Sequence, residues 1–349
     1  MSAAHDRSRR RRPSRRRRQL RLLYPLAAVG GLAIVVAALV GGAGNGPAGG
    51  GAKTVTRLVS QAAAPLAAPL ANASAVSLPG GPLILGGLDS GESSVAAVLQ
   101  LTAGGDARQV GELSEPLHDA AAVRLGESVL VFGGGQSTST SVVQSLPAPG
   151  GKIPPGAVAE AVGNLPTVRS DLSAIALGGR AYLLGGYDGT NLVPSVLSTS
   201  DGAHFTQVAT LPRPGRYLAV AALGGRIYAF GGESVSEAPS DAIQEIDPRS
   251  GTARVVGRMP RPLSHATAIT LGGAIYVAGG EETPGQPLRQ IWRFEPGTGR
   301  LVPAGELPQA VAGAAGAVGA GRAYLVGGTG PGGAPLASVE TLAAREVAI

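Results

Sequence analysis

From residue 54 onward the chain repeats one pattern. Short runs of Val, Ile, Leu and Ala are broken by Gly pairs, Leu-Pro steps and Asp- or Ser-containing turns. Runs of this kind, β-branched or aromatic at their ends and bounded by turn formers, predict β-strands. The clearest is LAVAALGGRIYAF at 218–230, two apolar runs with Gly224-Gly225 between them. A Gly pair supplies both positive-φ positions of a two-residue hairpin turn, so this segment predicts a hairpin. Two further strands follow, in DAIQEIDP (241–248) and ARVVGRMP (253–260), with Pro248, Ser250 and Gly251 as turn residues between them. Each unit therefore predicts one four-stranded antiparallel sheet.

The unit recurs. Six apolar runs end in Gly-Gly, at 86–87, 133–134, 185–186, 231–232, 279–280 and 327–328, with spacings of 47, 52, 46, 48 and 48. LPRPGRYLAVAALGGRIYAFGG (211–232) returns at 165–186, 259–280 and 307–328, always with twenty residues from the leading Leu or Met to the first Gly. Leu66 to Gly86 and Leu113 to Gly133 keep that offset with the motif eroded. A period in the forties built from short strands points to a propeller or solenoid. The last repeat holds only one outer strand, around Ser338–Leu342, while TVTRLVS (54–60) alternates ahead of the first unit. That N-terminal strand is expected to complete the sixth blade, because ring closure removes exposed sheet edges.

Three features resemble the kelch family of β-propellers. They are the Gly-Gly pairs (Gly86-Gly87, Gly133-Gly134, Gly185-Gly186, Gly231-Gly232, Gly279-Gly280 and Gly327-Gly328), the tyrosines four positions before the second Gly (Tyr182, Tyr228, Tyr276, Tyr324), and the Leu-Pro opening. GGYDG at 185–189 is a close match to that motif. The departures are Trp292 as the single outer-strand Trp, Arg169 as the one Arg in register after Leu-Pro, and no motif Tyr in the first two repeats. The resemblance covers residues 54–349 and implies an all-β, six-bladed kelch-type β-propeller, with the tyrosines as core packing.

Charge and composition alter the picture at the N-terminus. The net charge is +6, but residues 1–21 hold ten Arg and one Asp, leaving 19 bases against 22 acids in the rest. Every base except Lys53 and Lys152 is Arg, a usage typical of high-GC bacterial genomes. Residues 22–40 then run nineteen positions without a charge, nearly enough for a helix to cross a hydrocarbon core of about 30 Å. Residues 22–42 are thus expected to form one transmembrane helix, an uncleaved signal anchor. The basic tail 1–21 would face the cytoplasm on anionic lipid, with the C-terminal body extracytoplasmic. Residues 43–53 form a Gly-rich linker. The Arg run in this setting implies membrane and no nucleic acid.

Candidate chemistry lies at repeat positions. Six residues after the leading Leu or Met stand Asn72, Asp119, Asp171, Tyr217, His265 and Gly313; one residue earlier stand His118, Ser170, Arg216 and Ser264. Directly after the Gly pairs come Leu88, Gly135, Tyr187, Glu233, Glu281 and Thr329. In peptide-binding kelch proteins these loop sets resemble the ligand-contacting mouth. The resemblance implies a pocket of Asp119, Asp171, Tyr187, Arg216, Tyr217, Glu233, His265 and Glu281. No P-loop, HExxH or GxSxG is present. With no Cys, structural disulfides, Cys-ligated zinc and iron–sulfur clusters are excluded, as is the Tyr–Cys radical cofactor of galactose oxidase, which is built on kelch repeats. No cofactor, metal site or catalytic residue is expected. Two functions follow: a non-enzymatic binding or scaffold module for a protein, peptide or cell-envelope glycan, or a sugar-active enzyme resembling the kelch mutarotase of sialic acid. In the second, Arg216 or Arg169 would hold the sugar carboxylate and Glu233, Glu281 or His265 would move the proton.

Overall fold

The Gly-Gly hairpins form the innermost strand pairs of a ring of sheets: Ser173–Leu177 with Arg180–Leu184, Ala219–Leu223 with Arg226–Phe230, and Thr267–Leu271 with Ala274–Ala278. Gly224 and Gly225, at φ +59° and +77°, close the second of these as a two-residue turn with both central residues left-handed. Further strands then step outward, as in Ser240–Asp247 and Thr252–Leu263. The computed structural model describes residues 54–348. The basic tail, the apolar segment 22–42 and the linker 43–53 lie outside the described residues. Among the described residues no helix is long and apolar enough to cross a membrane.

Six sheets result, five of four strands and one of five. The fifth strand explains the long spacing in the second repeat. Its inserted segment makes a 3-10 turn at Pro149–Gly151 and then lays Ala157–Val158 parallel to Ala107–Glu112, on the outer edge of the first sheet. In the sixth sheet, Thr54–Ala62 pairs antiparallel with Val339–Ala348 in unbroken register, from Thr54↔Ala348 to Ala62↔Glu340. Thr54–Ala62 is therefore the outermost strand of the last blade, and the first and last described strands close the ring together. Leu58 is buried there with Ile291, Ala304, Leu307, Leu325 and Leu342, which come from the fifth and sixth blades.

The core lies between adjacent blades. Tyr182, Tyr228, Tyr276 and Tyr324 are all buried. Phe294 of the fifth blade packs at 4.9 Å on Tyr228 and edge-on at 5.1 Å to Phe230, both of the fourth. Buried glutamines fasten the loops. Gln244 Nε2 donates to Arg213 O and its Oε1 accepts from Arg213 N–H, both at 2.9 Å, so a fully buried amide is satisfied by the Leu-Pro loop it holds. Neighbouring inner strands are tied by hydroxyls: Ser74 Oγ donates to Ala120 O, Ser173 Oγ to Leu218 O and Thr267 Oγ1 to Ala314 O.

Candidate functional site

At the entry to each inner strand the chain makes the same kink. Asn72, Asp119, Asp171, Tyr217, His265 and Gly313 all hold left-handed conformations, with φ between +53° and +61°. Asn and Asp tolerate this region, but for Tyr it is unusual and costs about 1–2 kcal/mol. The kink turns each residue toward the ring axis and links it to its neighbour. Asp119 N–H donates to Asn72 O, Asp171 N–H to Asp119 O, Tyr217 N–H to Asp171 O and Gly313 N–H to His265 O, at 2.7–3.1 Å. The six residues line one cavity of about 160 Å³ on the axis.

A second ring surrounds the first. The residue before each kink forms an antiparallel bridge with the residue that follows its Gly pair: His118 with Gly135, Ser170 with Tyr187, Arg216 with Glu233, and Ser264 with Glu281. The two sequence registers are thus two sides of one structural feature. A cleft of about 620 Å³ between the second and third blades opens beside the axial cavity; Asp119 and Asp171 line both, and Tyr187 lines the cleft.

Arg216 is the hub. Its Nε lies 2.6 Å from Glu233 Oε1, Nη1 is 3.8 Å from Asp171 Oδ2 and Nη2 is 3.6 Å from Glu237 Oε1. The guanidinium carbon stands 5.6 Å from the ring centres of both Tyr187 and Tyr217, a cation–π distance. Burial alone would lower the Arg216 pKa; Glu233, Tyr217 and Asp171 together outweigh it and hold the pKa above its ordinary value. The Tyr217 ring stacks on His265 at 3.8 Å between centres. Ser264 Oγ is 3.1 Å from His265 Nδ1, and Glu281 Oε1 is 3.5 Å from it. Glu281 in turn accepts the Gly285 N–H at 2.8 Å.

Burial and charge tune these groups. Burial first, then the Asp171 charge, push the Asp119 carboxyl well above the usual range, against hydrogen bonds from Asn72 and Tyr217. Burial raises Asp171 as well, against the pull of Arg216. Burial, aided by the Arg216 charge, lowers His265 to about 4, so its imidazole is neutral at pH 7. Burial and the two aspartates hold the Tyr217 phenol far above its ordinary value.

All eight residues read from the repeat registers stand at this mouth. Asn72, His118 and Glu237 join them. Asn72 occupies the same register, whereas Glu237 comes from a loop without repeat spacing. Arg169 does not join. It is 1% exposed and its Nη2 donates to Ser195 Oγ at 2.8 Å, so it secures a strand and is not available to a ligand. Asp188 and Asp201 accept backbone N–H groups two and three residues on, as turn residues do.

The kelch motif family matches residues 262–300. That stretch carries Tyr276, Gly279-Gly280 and Trp292 together. This chain is a kelch-repeat β-propeller. Among solved structures the propeller is similar to one titled "Structure of YjhT", with a TM-score of 0.68 and 14% identity over 81% of this chain and 99% of that one. Identity at that level speaks for the fold alone. No curated protein matches the chain in sequence. In this kelch propeller the motif residues Tyr276 and Trp292 are buried between blades. The polar mouth is built from positions whose residue differs from repeat to repeat within this chain.

Proposed function

We propose that this kelch propeller is a non-enzymatic binding module, held at the outer face of a cell membrane by the anchor 22–42. Its mouth around Arg216 takes a protein, peptide or cell-envelope glycan. The observation that carries this reading is the Arg216–Glu233 pair at 2.6 Å, set between the faces of Tyr187 and Tyr217. Arg216, Tyr217 and His265 are fixed against one another before any ligand arrives, which lowers the ordering cost of binding. Five carboxyl groups (Asp119, Asp171, Glu233, Glu237, Glu281) stand at the mouth with one guanidinium, which three of them approach within 4 Å, so the mouth favours a cationic or polyhydroxylated ligand over an anion. Aromatic faces beside acceptor groups suit sugars and basic side chains.

The enzyme reading keeps one supporting observation. Arg216, Glu233 and His265 converge at one mouth beside Asp119, whose raised pKa favours its protonated form. A sugar mutarotase needs such a set of acid, base and anchoring groups. Against it, Arg216 is already engaged by carboxylates, which discourages a sugar acid.

The test is thermal unfolding of the full chain against a panel of basic peptides, peptidoglycan fragments and N-acetylneuraminate. A ligand at 100 times its Kd adds about 2.7 kcal/mol. The binding reading expects a peptide or peptidoglycan fragment to raise Tm, and Arg216→Gln to abolish the rise. A shift confined to N-acetylneuraminate, with faster anomer exchange by NMR, hands the site to the enzyme reading. A flat panel overturns both readings of this mouth.

A further inference from the structure

The channel has a second end. Eleven residues after each leading Leu or Met, the inner strands place Ser77, Arg124, Ala176, Ala222, Thr270 and Val318 around the axis, lining two neighbouring cavities. Arg124 lies five residues along its strand from Asp119, about 16 Å at 3.3 Å per residue. Among the described residues lining these two cavities it is the one ionisable side chain; the others are Ala, Val, Ile, Gly, Ser and Thr. Its Nε is sealed from solvent with no hydrogen-bond partner, and among the described residues no carboxylate pairs with it. The inserted loop of the second repeat covers it from one side: a Cβ on Gly151 would stand 3.3 Å from Arg124 Cζ.

A guanidinium with an unsatisfied donor, set in an apolar wall, is an incomplete arrangement. The sealed Nε is out of a ligand's reach, but the uncompensated charge of the cavity-lining guanidinium favours an oxyanion. Ser77 supplies a second donor, because its Oγ accepts the Val318 N–H at 2.8 Å and keeps its own proton to give. One guanidinium and one hydroxyl match one negative charge; a phosphate dianion calls for more donors than these. The surrounding wall of Ala122, Ala176 and Val220 suits an apolar body. The acidic mouth at the other end repels anions, so such a ligand enters from the Arg124 end.

We propose that this end of the channel binds a small organic monocarboxylate. Its head group sits on Arg124 and Ser77, and its apolar body lies in the cavity of about 410 Å³ above them. The site is separate from the mouth at Arg216 and stands or falls independently of it.

The experiment is calorimetric titration of the full chain in lipid nanodiscs, with empty nanodiscs as blank. Hexanoate, hexan-1-ol, acetate and inorganic phosphate are the probes. Hexanoate should bind, hexan-1-ol should bind about tenfold more weakly or less, and Arg124→Gln should weaken hexanoate by about tenfold or more. Ala176→Leu leaves the charge in place and fills the channel. It should weaken hexanoate more than acetate, and it tests the site even if Arg124→Gln does not fold. The proposal is overturned if hexanoate gives no heat at about 10 mM, if either variant leaves its affinity unchanged, or if phosphate binds in preference.

Discussion

The backbone N–H of Asp171 donates to the carbonyl of Asp119 at 2.9 Å, and both residues are left-handed, at φ +57° and +53°. This one link, repeated with other side chains around the axis, sets two carboxyl groups on a single cavity. Neither aspartate is near another in sequence. Their proximity is a product of ring closure, and their pKa values follow from it.

Asp119 should therefore cost stability at neutral pH. Its carboxyl is raised by burial and by Asp171. The unfolded chain gives up this proton above about 3.9, while the folded chain keeps it to a higher pH. Folding then takes up a proton, and stability falls as pH rises from the ordinary value through the raised one. Asp119→Asn keeps the size and the left-handed preference but has no proton to lose. Its Tm at pH 7.5 should exceed that of the parent by roughly 2–4 °C, with the gap closing toward pH 3.5. A gap that does not change with pH would show that Asp119 titrates normally.

His265 has the opposite dependence. The folded imidazole refuses a proton until about 4, whereas the unfolded one accepts it near 6.5. Stability from this residue is intact above pH 6.5 and is lost as pH falls toward 4. The groups facing it are the Tyr217 ring, Ser264, Glu281 and the Arg216 charge. His265→Gln should lose the stacking, about 0.5–1.5 kcal/mol at pH 7, and should gain on the parent as the pH is lowered. Urea midpoints measured from pH 7 to pH 4 read the difference directly; parallel curves would refute the shift.

The repeat offset explains why so much of this mouth was legible in the sequence. Residues at one offset from the Leu-Pro step must stand on one ring, so Asp119, Asp171, Tyr217 and His265 could be grouped before any fold was seen. The next offset and the residues after the Gly pairs are joined by backbone bridges, which keep Arg216 beside Glu233. What repeat logic cannot reach is irregular. Glu237 arrives on a loop with no register. The parallel strand Ala157–Val158 arises from an insertion whose composition carries no strand signal. Arg169 reads as a free cation after Leu-Pro, yet the third strand's Ser195 captures it in the interior. Arg124 sits in an ordinary alternating strand, and only closure of the ring makes it solitary.

The Arg216–Glu233 pair offers a test of coupling. Glu233 is 5% exposed, so removing its partner leaves a buried carboxylate beside Glu237. Breaking a buried pair costs about 3–5 kcal/mol; with the guanidinium partly open to solvent, about 2–3 kcal/mol is expected for Arg216→Gln. Glu233→Gln added to it should recover part of that loss, giving a coupling of about 1–2 kcal/mol in a double-mutant cycle from urea unfolding. Additive effects would mean that the pair contributes nothing beyond its members.

Two glycines of the fourth blade should differ although both are left-handed. Gly224, in the inner hairpin turn at φ +59°, has nothing within 4 Å of a built Cβ. Gly224→Ala therefore meets only the cost of a side chain in that conformation, about 1–2 kcal/mol. Gly231, at φ +63°, opens the Gly pair that ends the strand. A Cβ there would lie 2.1 Å from the Leu263 carbonyl oxygen, which accepts the Gly232 N–H at 2.9 Å. That oxygen belongs to the end of the blade's outer strand and cannot retreat without giving up the bond. Gly231→Ala must add displacement of the backbone and loss of a buried hydrogen bond to the same conformational cost. It should destabilise by about 3 kcal/mol or more, and it should loosen the Arg216–Glu233 bridge two residues away. Urea unfolding of the two variants side by side decides the matter. Equal losses would mean that the Gly pairs serve backbone freedom alone, and a larger loss at Gly231 that they also seat each strand end against the next.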